Sequence, residues 1–226
     1  MKKAIIFDVY GTLISTGNGS LDAVKKILHR INLNVSPDDF YSEWKRLNRL
    51  YKSSDTFLLE REIFTKSLGD LYKKYNIAFD YKSDVNTMLK TMLDRNLFDD
   101  TIVVLEQLSK EFRILIGSTT DDNPLFQNLE YNKLDIIPHD RIYTSERLGC
   151  YKPKAEFYQS ILDAQDLKFD EVVFVGDSLT DDVYGPRQLG IYTVLVDRKN
   201  LFFGNDIKPD KVIQSLLEIR DFIYDI

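Results

Sequence analysis

Acidic and hydroxyl residues follow three short apolar segments of this 226-residue chain. Asp8 follows the first segment, Ser118 follows the second, and Asp177 follows a later one. Two carboxylates can together offer the hard oxygen ligands that Mg²⁺ prefers, while the ion keeps several waters. Lys152 can balance the surplus negative charge and hold an anionic substrate, and Ser118 can bind the oxygens of a phosphate or carboxylate group. If the fold brings these residues together, they form a site for chemistry on a small anion.

Each of these residues also has an ordinary structural explanation. Aspartates at strand ends often cap helices, serine after a strand is common in turns, and a Lys-Pro pair is usual in surface loops. Taken singly, only Asp8 favours chemistry over structure. Cys150, His29 and His139 are interpreted as structural, because nothing in the sequence around them forms a pair of nucleophile and base.

The elements that must position these residues alternate between strands and helices. Short apolar segments predict strands at 4–9, 113–117, 171–175 and 192–196. Helical spacing predicts helices between them at 101–110, 124–129, 155–165 and 181–189. Such alternation is typical of a parallel, doubly wound α/β sheet. Ligands bind beyond the carboxyl ends of the strands in such a sheet, and the acidic and hydroxyl residues follow those ends.

Residues 16–96 show a different pattern. Their apolar residues recur at helical spacing with no convincing alternation of period two, which predicts a separate unit of four helices. One of these helices has a clear start, because Ser36 provides an N-cap and Asp39 an acid at the third position. We therefore expect an α/β core domain formed by residues 1–15 and 97–226, which a four-helix insert at 16–96 interrupts after the first strand.

Composition excludes several classes of function. The 30 basic and 36 acidic residues give a formal charge of −6 with no basic stripe, so nucleic acid is not an expected partner. No apolar window of about 18 residues exists, and an acid precedes any signal-type apolar region, which predicts a cytoplasmic protein without a membrane anchor. The single cysteine excludes an intramolecular disulfide, as expected in a reducing compartment. Oligomeric state has no signature in the sequence.

Four short motifs in a fixed order resemble the haloacid dehalogenase superfamily. In chain order they are Asp8-Val9-Tyr10-Gly11-Thr12-Leu13, Ser118 after an apolar strand, Lys152-Pro153 before a helix, and Gly176-Asp177-Ser178 with further acids. The resemblance extends from Lys3 to about Leu217. It implies a Rossmann-like core, and the helical insert is similar to the superfamily's first type of cap.

The resemblance implies a covalent mechanism that depends on Mg²⁺. Asp8 would attack the substrate and form an aspartyl intermediate, which water then hydrolyses, so that one hard displacement becomes two easier ones. The implied metal ligands are the Asp8 carboxylate, the Tyr10 carbonyl, Asp177 and Asp182, with Asp181 as a substitute for the last. For a phosphate ester, the ion would bridge the nucleophile and the phosphoryl oxygens.

Substrate-binding residues are expected in the core and in the insert. Lys152 and Ser118 would hold the transferred group, with Thr12 and Thr119 beside them. In the insert, Lys45 is a candidate to reach an anionic substrate, although a solvated helix face explains such a lysine more simply. The expected substrate is a small anion, either a phosphate ester or a haloacid.

The residue two places after the proposed nucleophile favours dehalogenase chemistry. Phosphatases of the superfamily usually carry a second Asp there, as the acid that protonates the leaving alkoxide and then activates water. This chain has Tyr10, and a tyrosine with an ordinary pKa of about 10 is a poor acid and base at neutral pH. The L-2-haloacid dehalogenases have Tyr at this place, and a departing halide needs no proton.

The later motifs favour a metal-dependent phosphatase. The L-2-haloacid dehalogenases work without metal, with a neutral amide where this chain has Asp177 and Asn where it has Thr119. Their cap supplies a Trp-Arg pair, which Trp44-Lys45 matches incompletely because lysine is no bidentate ligand for a carboxylate. We therefore expect a Mg²⁺-dependent phosphatase of a small phosphorylated metabolite. The alternatives are a metal-independent L-2-haloacid dehalogenase and a catalytically idle binding protein of the same fold.

Overall fold

The computed structural model describes residues 1–204 and 206–226. The chain divides into two compact units, one formed by Met1–Ser15 with Asn96–Ile226 and the other by Thr16–Arg95. We name them the core unit and the helical unit. The role of the helical unit as a cap stays a prediction.

The helical unit is built from four helices in its described residues. They are α1 (Gly19–Arg30), α2 (Pro37–Lys52), α3 (Glu60–Lys74) and α4 (Lys82–Lys90). Ser36 caps α2, since its hydroxyl accepts a hydrogen bond from the Asp39 amide at 3.4 Å. Trp44 of α2 packs edge-on against Phe64 of α3 with ring centroids 4.8 Å apart. The aromatic residues at helical spacing therefore form the interior of this unit.

The core unit contains a parallel sheet of six strands within its described residues, which confirms the predicted α/β class. The strands are β1 (Ala4–Phe7), β2 (Arg113–Ser118), β3 (Ile142–Thr144), β4 (Val172–Gly176), β5 (Tyr192–Val196) and β6 (Lys211–Ile213). They lie in the order β3-β2-β1-β4-β5-β6, and each neighbouring pair is parallel. The chain first moves outward on one side of β1 and then on the other. The strand order therefore reverses beside β1, where ligands bind in sheets of this kind.

Helices and hydrophobic side chains cover both faces of this sheet. The helices are α5 (Thr101–Leu108), α6 (Asp122–Tyr131), α7 (Ser145–Leu148), α8 (Ala155–Gln165) and α9 (Gly185–Arg187). In β1, Ile5 and Phe7 belong to one hydrophobic cluster and Ala4 and Ile6 to the other, so the strand is apolar throughout. None of the described helices in either unit is long and apolar enough to cross a membrane.

The chain leaves the core unit and returns to it at neighbouring points. The Ser15 amide donates a hydrogen bond to the Asn96 carbonyl at 2.9 Å, and the Phe98 amide donates to the Leu13 carbonyl at 3.0 Å. Outgoing and returning segments are thus paired to each other inside the core unit.

The structure differs from the sequence predictions in several elements, and α7 is one that the sequence patterns do not predict. The sequence patterns do not predict β3 and β6, which have only three residues each. The helix predicted at 181–189 is instead a π-helical segment, Leu179–Tyr184, followed by the short α9. Pro186 of α9 has no backbone N–H to donate, so a continuous α-helical hydrogen-bond pattern cannot extend across residues 181–189.

Candidate functional site

Asp8 lies directly after β1, at the edge where the carboxyl ends of the strands meet. Its amide donates to the Val175 carbonyl at 2.9 Å, which continues the pairing of β1 with β4 by one residue. The chain then turns back on itself, because the Ile14 amide donates to the Val9 carbonyl at 2.8 Å. We name residues 8–15 the β1 loop. Its tight turn keeps Asp8 at the sheet edge.

Gly11 allows the β1 loop to pass close to a second acid. Its φ angle is +101°, in a region that favours glycine. A Cβ atom at this position would lie 2.1 Å from Oδ2 of Asp177, which no side chain could tolerate without a shift. The space beside Gly11 is therefore filled by a carboxylate that follows β4.

Lys152 joins two of the acids through its ammonium group. Its Nζ lies 2.8 Å from Oδ1 of Asp8 and 2.6 Å from Oδ1 of Asp182, and all three side chains are buried. Burial alone would lower the pKa of Lys152, but the charges of Asp182 and Asp8 outweigh it and raise this pKa above its ordinary value. Lys152 is therefore a cation that offsets the repulsion between the two carboxylates.

Three carboxylates form a cluster at this edge of the sheet. Asp8, Asp177 and Asp182 each offer an oxygen within 4.8 Å of the others. Desolvation and the negative charge of Asp8 raise the pKa of Asp177 to about 7, while the charge of Lys152 opposes the rise. Asp177 is nonetheless the exposed member of the cluster, so ions from solvent can reach it. The third acid of this cluster is Asp182, and not its neighbour Asp181.

The cluster fits a divalent cation bound through oxygens. Carboxylate oxygens are the ligands that Mg²⁺ prefers, and the ammonium of Lys152 pairs with only two of the three acids, Asp8 and Asp182. The oxygens of Asp182 already accept hydrogen bonds from Lys152 and from the Ser178 amide, the latter at 2.9 Å. Each carboxylate oxygen has a second lone pair, so these bonds leave capacity for an ion. The Tyr10 carbonyl as a further ligand stays a prediction.

Ser118 and Thr12 place two hydroxyl groups near the ends of β2 and β1. Ser118 ends β2 with 1% of its surface exposed, and its hydroxyl has no hydrogen-bond partner within residues 1–204 and 206–226. Leaving a buried hydroxyl unpaired is costly, so this group suits an oxygen of a bound anion. The Thr12 hydroxyl donates to Oδ2 of Asp8 at 3.3 Å and thus contacts the carboxylate itself. Thr119 is half-buried beside Ser118, and its part in substrate binding stays a prediction.

The Tyr10 side chain ties the β1 loop to α6. Its hydroxyl accepts a hydrogen bond from Nδ2 of Asn128 at 3.0 Å, and its ring packs against the larger hydrophobic cluster. Asn128 is fully buried and also donates to the Pro124 carbonyl at 2.7 Å. These contacts give Tyr10 a structural role besides any catalytic one. The sequence patterns did not indicate Asn128, because its partner lies far away along the chain.

Lys45 lies in the helical unit, on the exposed side of α2. Its ammonium is 4.5 Å from the centre of the Tyr41 ring, a cation–π contact between successive turns of the same helix. The contact explains its placement without a substrate. Lys45 as a substrate-binding residue therefore stays a prediction.

Comparison with known families tests the resemblance of the four motifs. Residues 2–190 match the family model of haloacid dehalogenase-like hydrolases. The chain belongs to this family. The resemblance of the sequence motifs to the haloacid dehalogenase superfamily is thereby confirmed, and the protein is a hydrolase of that superfamily.

Curated relatives of this haloacid dehalogenase-like hydrolase include named phosphatases. Glyceraldehyde 3-phosphate phosphatase of Methanocaldococcus jannaschii is 29% identical, over 99% of this chain and 97% of its own. Pyrophosphatase PpaX of Bacillus cereus is 24% identical, over 98% of this chain and 96% of its own. Both alignments cover nearly the whole chain, so the sequence similarity extends over the core unit and the helical unit.

Solved structures of haloacid dehalogenase-like hydrolases share the fold. The putative HAD-hydrolase YfnB from Bacillus subtilis, bound to magnesium, has a TM-score of 0.80 at 19% identity and covers 100% of this chain and 99% of its own. L-2-haloacid dehalogenase from Xanthobacter autotrophicus has a TM-score of 0.78 at 17% identity and covers 100% of both chains. At these identities the structures show the fold alone.

Proposed function

We propose that this hydrolase is a Mg²⁺-dependent phosphatase of a small phosphorylated metabolite. The observation that carries the proposal is the cluster of Asp8, Asp177 and Asp182, of which the buried ammonium of Lys152 pairs with Asp8 and Asp182 only, so that a carboxylate remains for a cation to bind. The phosphatase names of the curated relatives support it. We also expect a cytoplasmic protein that acts on a small anion and binds no nucleic acid. The helical unit, with Lys45, is our proposed cap.

Asp8 is the proposed nucleophile of a two-step displacement. In the first step a carboxylate oxygen of Asp8 bonds to phosphorus, and the bond from phosphorus to the leaving oxygen breaks. In the second step water attacks the same phosphorus, which releases phosphate and restores the Asp8 carboxylate. When bound, Mg²⁺ would offset the repulsion between this carboxylate and the phosphoryl oxygens.

The neighbouring side chains hold the transferred group and its nucleophile. Lys152 fixes one oxygen of Asp8 and Thr12 contacts the other, so the carboxylate has a defined orientation. The unpartnered hydroxyl of Ser118 is suited to donate a hydrogen bond to a phosphoryl oxygen. Tyr10, whose hydroxyl accepts from Asn128, is a poor candidate for the acid that protonates the leaving group.

The proposal is tested with an aryl phosphate, whose leaving group departs with little protonation. We expect Mg²⁺-dependent hydrolysis of p-nitrophenyl phosphate that EDTA abolishes and that excess Mg²⁺ restores. Asp8→Asn should remove turnover and leave the circular dichroism spectrum unchanged, because the substitution keeps the shape of the side chain. The matched control is Asp225→Asn, which neutralises an exposed aspartate of the core unit and should keep full activity.

The dehalogenase alternative rests on Tyr10 and has a distinct outcome. Release of chloride from 2-chloropropionate in EDTA, with no hydrolysis of the aryl phosphate, would overturn the phosphatase proposal. A rate near wild type for Asp8→Asn would exclude Asp8 as the nucleophile in either reaction. Strong Mg²⁺ binding without turnover of either substrate would favour the catalytically idle protein.

A further inference from the structure

Arg198 is a largely buried arginine that follows β5, outside the carboxylate cluster. Its side chain is 17% exposed, and its guanidinium carbon lies 3.8 Å from the centre of the Phe98 ring. Nη1 and Nη2 donate to the two carboxylate oxygens of Asp100 at 3.0 and 2.9 Å. Nη2 also donates to the Thr12 carbonyl at 2.8 Å. One guanidinium therefore connects the start of α5 to the β1 loop.

The Asp100 carboxylate is itself held by a third part of the core unit. Oδ2 accepts hydrogen bonds from the Ser215 hydroxyl at 2.8 Å and from the Leu216 amide at 2.9 Å. A planar guanidinium that binds such a carboxylate in bidentate fashion has little freedom left. Arg198 thus presents a second N–H of Nη2 to the Thr12 carbonyl in a fixed direction.

Thr12 connects Arg198 to Asp8, because it contacts both residues. Thr12 is fully buried, and its hydroxyl donates to Oδ2 of Asp8 at 3.3 Å while Lys152 holds Oδ1 at 2.8 Å. The carbonyl that Arg198 binds belongs to the same residue as this hydroxyl. A shift of the Thr12 backbone would therefore move one of the two contacts that orient the carboxylate.

We propose that Arg198 is a positioning residue, which holds the Thr12 carbonyl so that the Thr12 hydroxyl keeps the Asp8 carboxylate aligned for attack. The inference rests on the proposed function only in taking Asp8 as the nucleophile. It applies equally to attack on phosphorus or on carbon. Arg198 itself contacts neither the substrate nor the reacting atoms.

Steady-state kinetics of the full chain with Mg²⁺ and the aryl phosphate give the first test. Arg198→Ala should lower kcat between about tenfold and 100-fold, because small displacements of a reacting group can cost about 100-fold. KM should change less than about twofold, since Lys152 and Ser118 remain in place. The kcat of Arg198→Lys should lie between those of wild type and Arg198→Ala, because an ammonium keeps the charge without the bidentate geometry. Arg187→Ala is the matched control, since Arg187 pairs with Asp210 at 2.6 Å in the same unit.

A double-mutant cycle separates positioning from general destabilisation. If Arg198 acts through the Thr12 hydroxyl, Arg198→Ala should reduce kcat by less than about twofold in a Thr12→Val background. Fully additive losses in the double variant would overturn the proposed route through Thr12.

Hydrogen–deuterium exchange gives a readout that needs no turnover. Arg198→Ala should speed exchange in the peptide that covers the β1 loop and leave the exchange rates of the β1 and β4 peptides unchanged. In the Arg187→Ala control, the exchange rate of the β1 loop should equal that of wild type. If wild type hydrolyses no phosphate, the proposed function fails and this measurement alone decides the inference. Unchanged exchange of the loop, or an equal effect in Arg187→Ala, would overturn it. Should Arg198→Ala fail to fold, Arg198→Lys carries the same measurements.

Discussion

At the residue scale, the ammonium of Lys152 is a structural charge as well as a candidate for binding substrate. It lies between the carboxylates of Asp8 and Asp182 where little water reaches it. Each partner alone would be a costly buried charge, and desolvation and the negative charge of Asp8 raise the pKa of Asp182 although the charge of Lys152 opposes the rise. In the proposed function, turnover and stability therefore both depend on this side chain.

Lys152→Met should lower both turnover and the free energy of unfolding. Breaking a buried ion pair by removing one partner costs about 3–5 kcal/mol, and we expect about 3 kcal/mol because a carboxyl can take up a proton instead. Urea unfolding in EDTA measures the loss. Lys154→Met, two residues along the same loop, is the control and should lose less than about 1 kcal/mol. Equal losses in the two variants would show that the ammonium does not stabilise the cluster.

Tyr10→Asp should raise the Mg²⁺-dependent phosphatase rate and lower stability. The new carboxyl supplies an acid for the leaving group, whereas the lost hydroxyl leaves Asn128 without this acceptor, at a cost of about 1–3 kcal/mol. Tyr10→Asn is the matched control, because it makes the same cavity and offers no proton. We would measure kcat on an alkyl phosphate and the melting temperature of each variant. If the rate of Tyr10→Asp is no higher than that of Tyr10→Asn, the lack of an acid at position 10 does not limit the phosphatase rate.

The sequence predicted those site residues that follow strands or precede a helix. Asp8 and Asp177 lie close together because parallel strands end at one edge of the sheet, whereas Asp182 was indicated only by the resemblance of the last motif. The partners Asn128 and Arg198 lie 118 and 186 positions from Tyr10 and Thr12. No periodic pattern connects such distant residues, so only the folded structure could reveal them.

At the element scale, the β1 loop is held by side chains from several elements of the core unit. Asn128 of α6 contacts Tyr10, and the Thr101 hydroxyl at the start of α5 donates to the Leu13 carbonyl at 2.8 Å. Short loops with this many outside contacts keep one conformation. A change in the backbone conformation of the β1 loop should therefore displace the carboxylates beside it.

Gly11→Ala should weaken Mg²⁺-dependent activity more than a glycine substitution in open space. The new Cβ would lie 2.1 Å from the Asp177 carboxylate, so the loop or the acid must move. Gly149 is the matched control, since its φ of +64° is also positive but nothing lies within 4 Å of a Cβ there. Gly149→Ala should cost only about 1–2 kcal/mol of stability. We expect the Mg²⁺ concentration for half-maximal rate to rise at least about tenfold for Gly11→Ala alone.

Similar shifts in both glycine variants would indicate that backbone strain, and not contact with Asp177, is the cause. A loss of stability without a change in the Mg²⁺ requirement would contradict the proposed role of Asp177 as a metal ligand.

Element length decided which parts of the fold were predictable. The strands β1, β2, β4 and β5 have four to six residues and long buried apolar stretches, which a sequence window can detect. β3 and β6 have three residues each, and their strand character comes from pairing with β2 and β5. Pairing is a tertiary effect that a local pattern does not contain.

At the scale of the whole molecule, Asp100 joins parts of the chain that are far apart in sequence. Arg198 follows β5, and Ser215 and Leu216 lie near the end of the chain, yet all three donate to this one carboxylate. Burial alone would raise the pKa of Asp100, but these hydrogen bonds outweigh it and lower this pKa below its ordinary value. The ionised carboxylate therefore stabilises the folded chain.

Asp100→Asn should reduce stability at neutral pH by about 1.5–3 kcal/mol, the range for hydrogen bonds to a charged group. Because the folded-state pKa is lowered, this contribution is fully present above the ordinary pKa of about 4. It is lost as the pH falls through the lower pKa of the folded state. Urea unfolding of wild type and variant at neutral and acid pH should therefore show curves that converge in acid. A difference that is constant with pH would contradict the lowered pKa, and Asp225→Asn is the control.

The hydrogen bond between Ser15 and Asn96 closes the core unit at the point where the helical unit is inserted. The two ends of that unit are already side by side in the core unit, so the core meets the same boundary whatever chain lies between them. The entropy of closing such a loop grows only slowly with its length. In the history of such proteins, an insertion of different size or shape could replace this one while the acids at the strand ends keep their places. If the helical unit is the cap that we propose, such a replacement would change selectivity and leave the chemistry of the core unit intact.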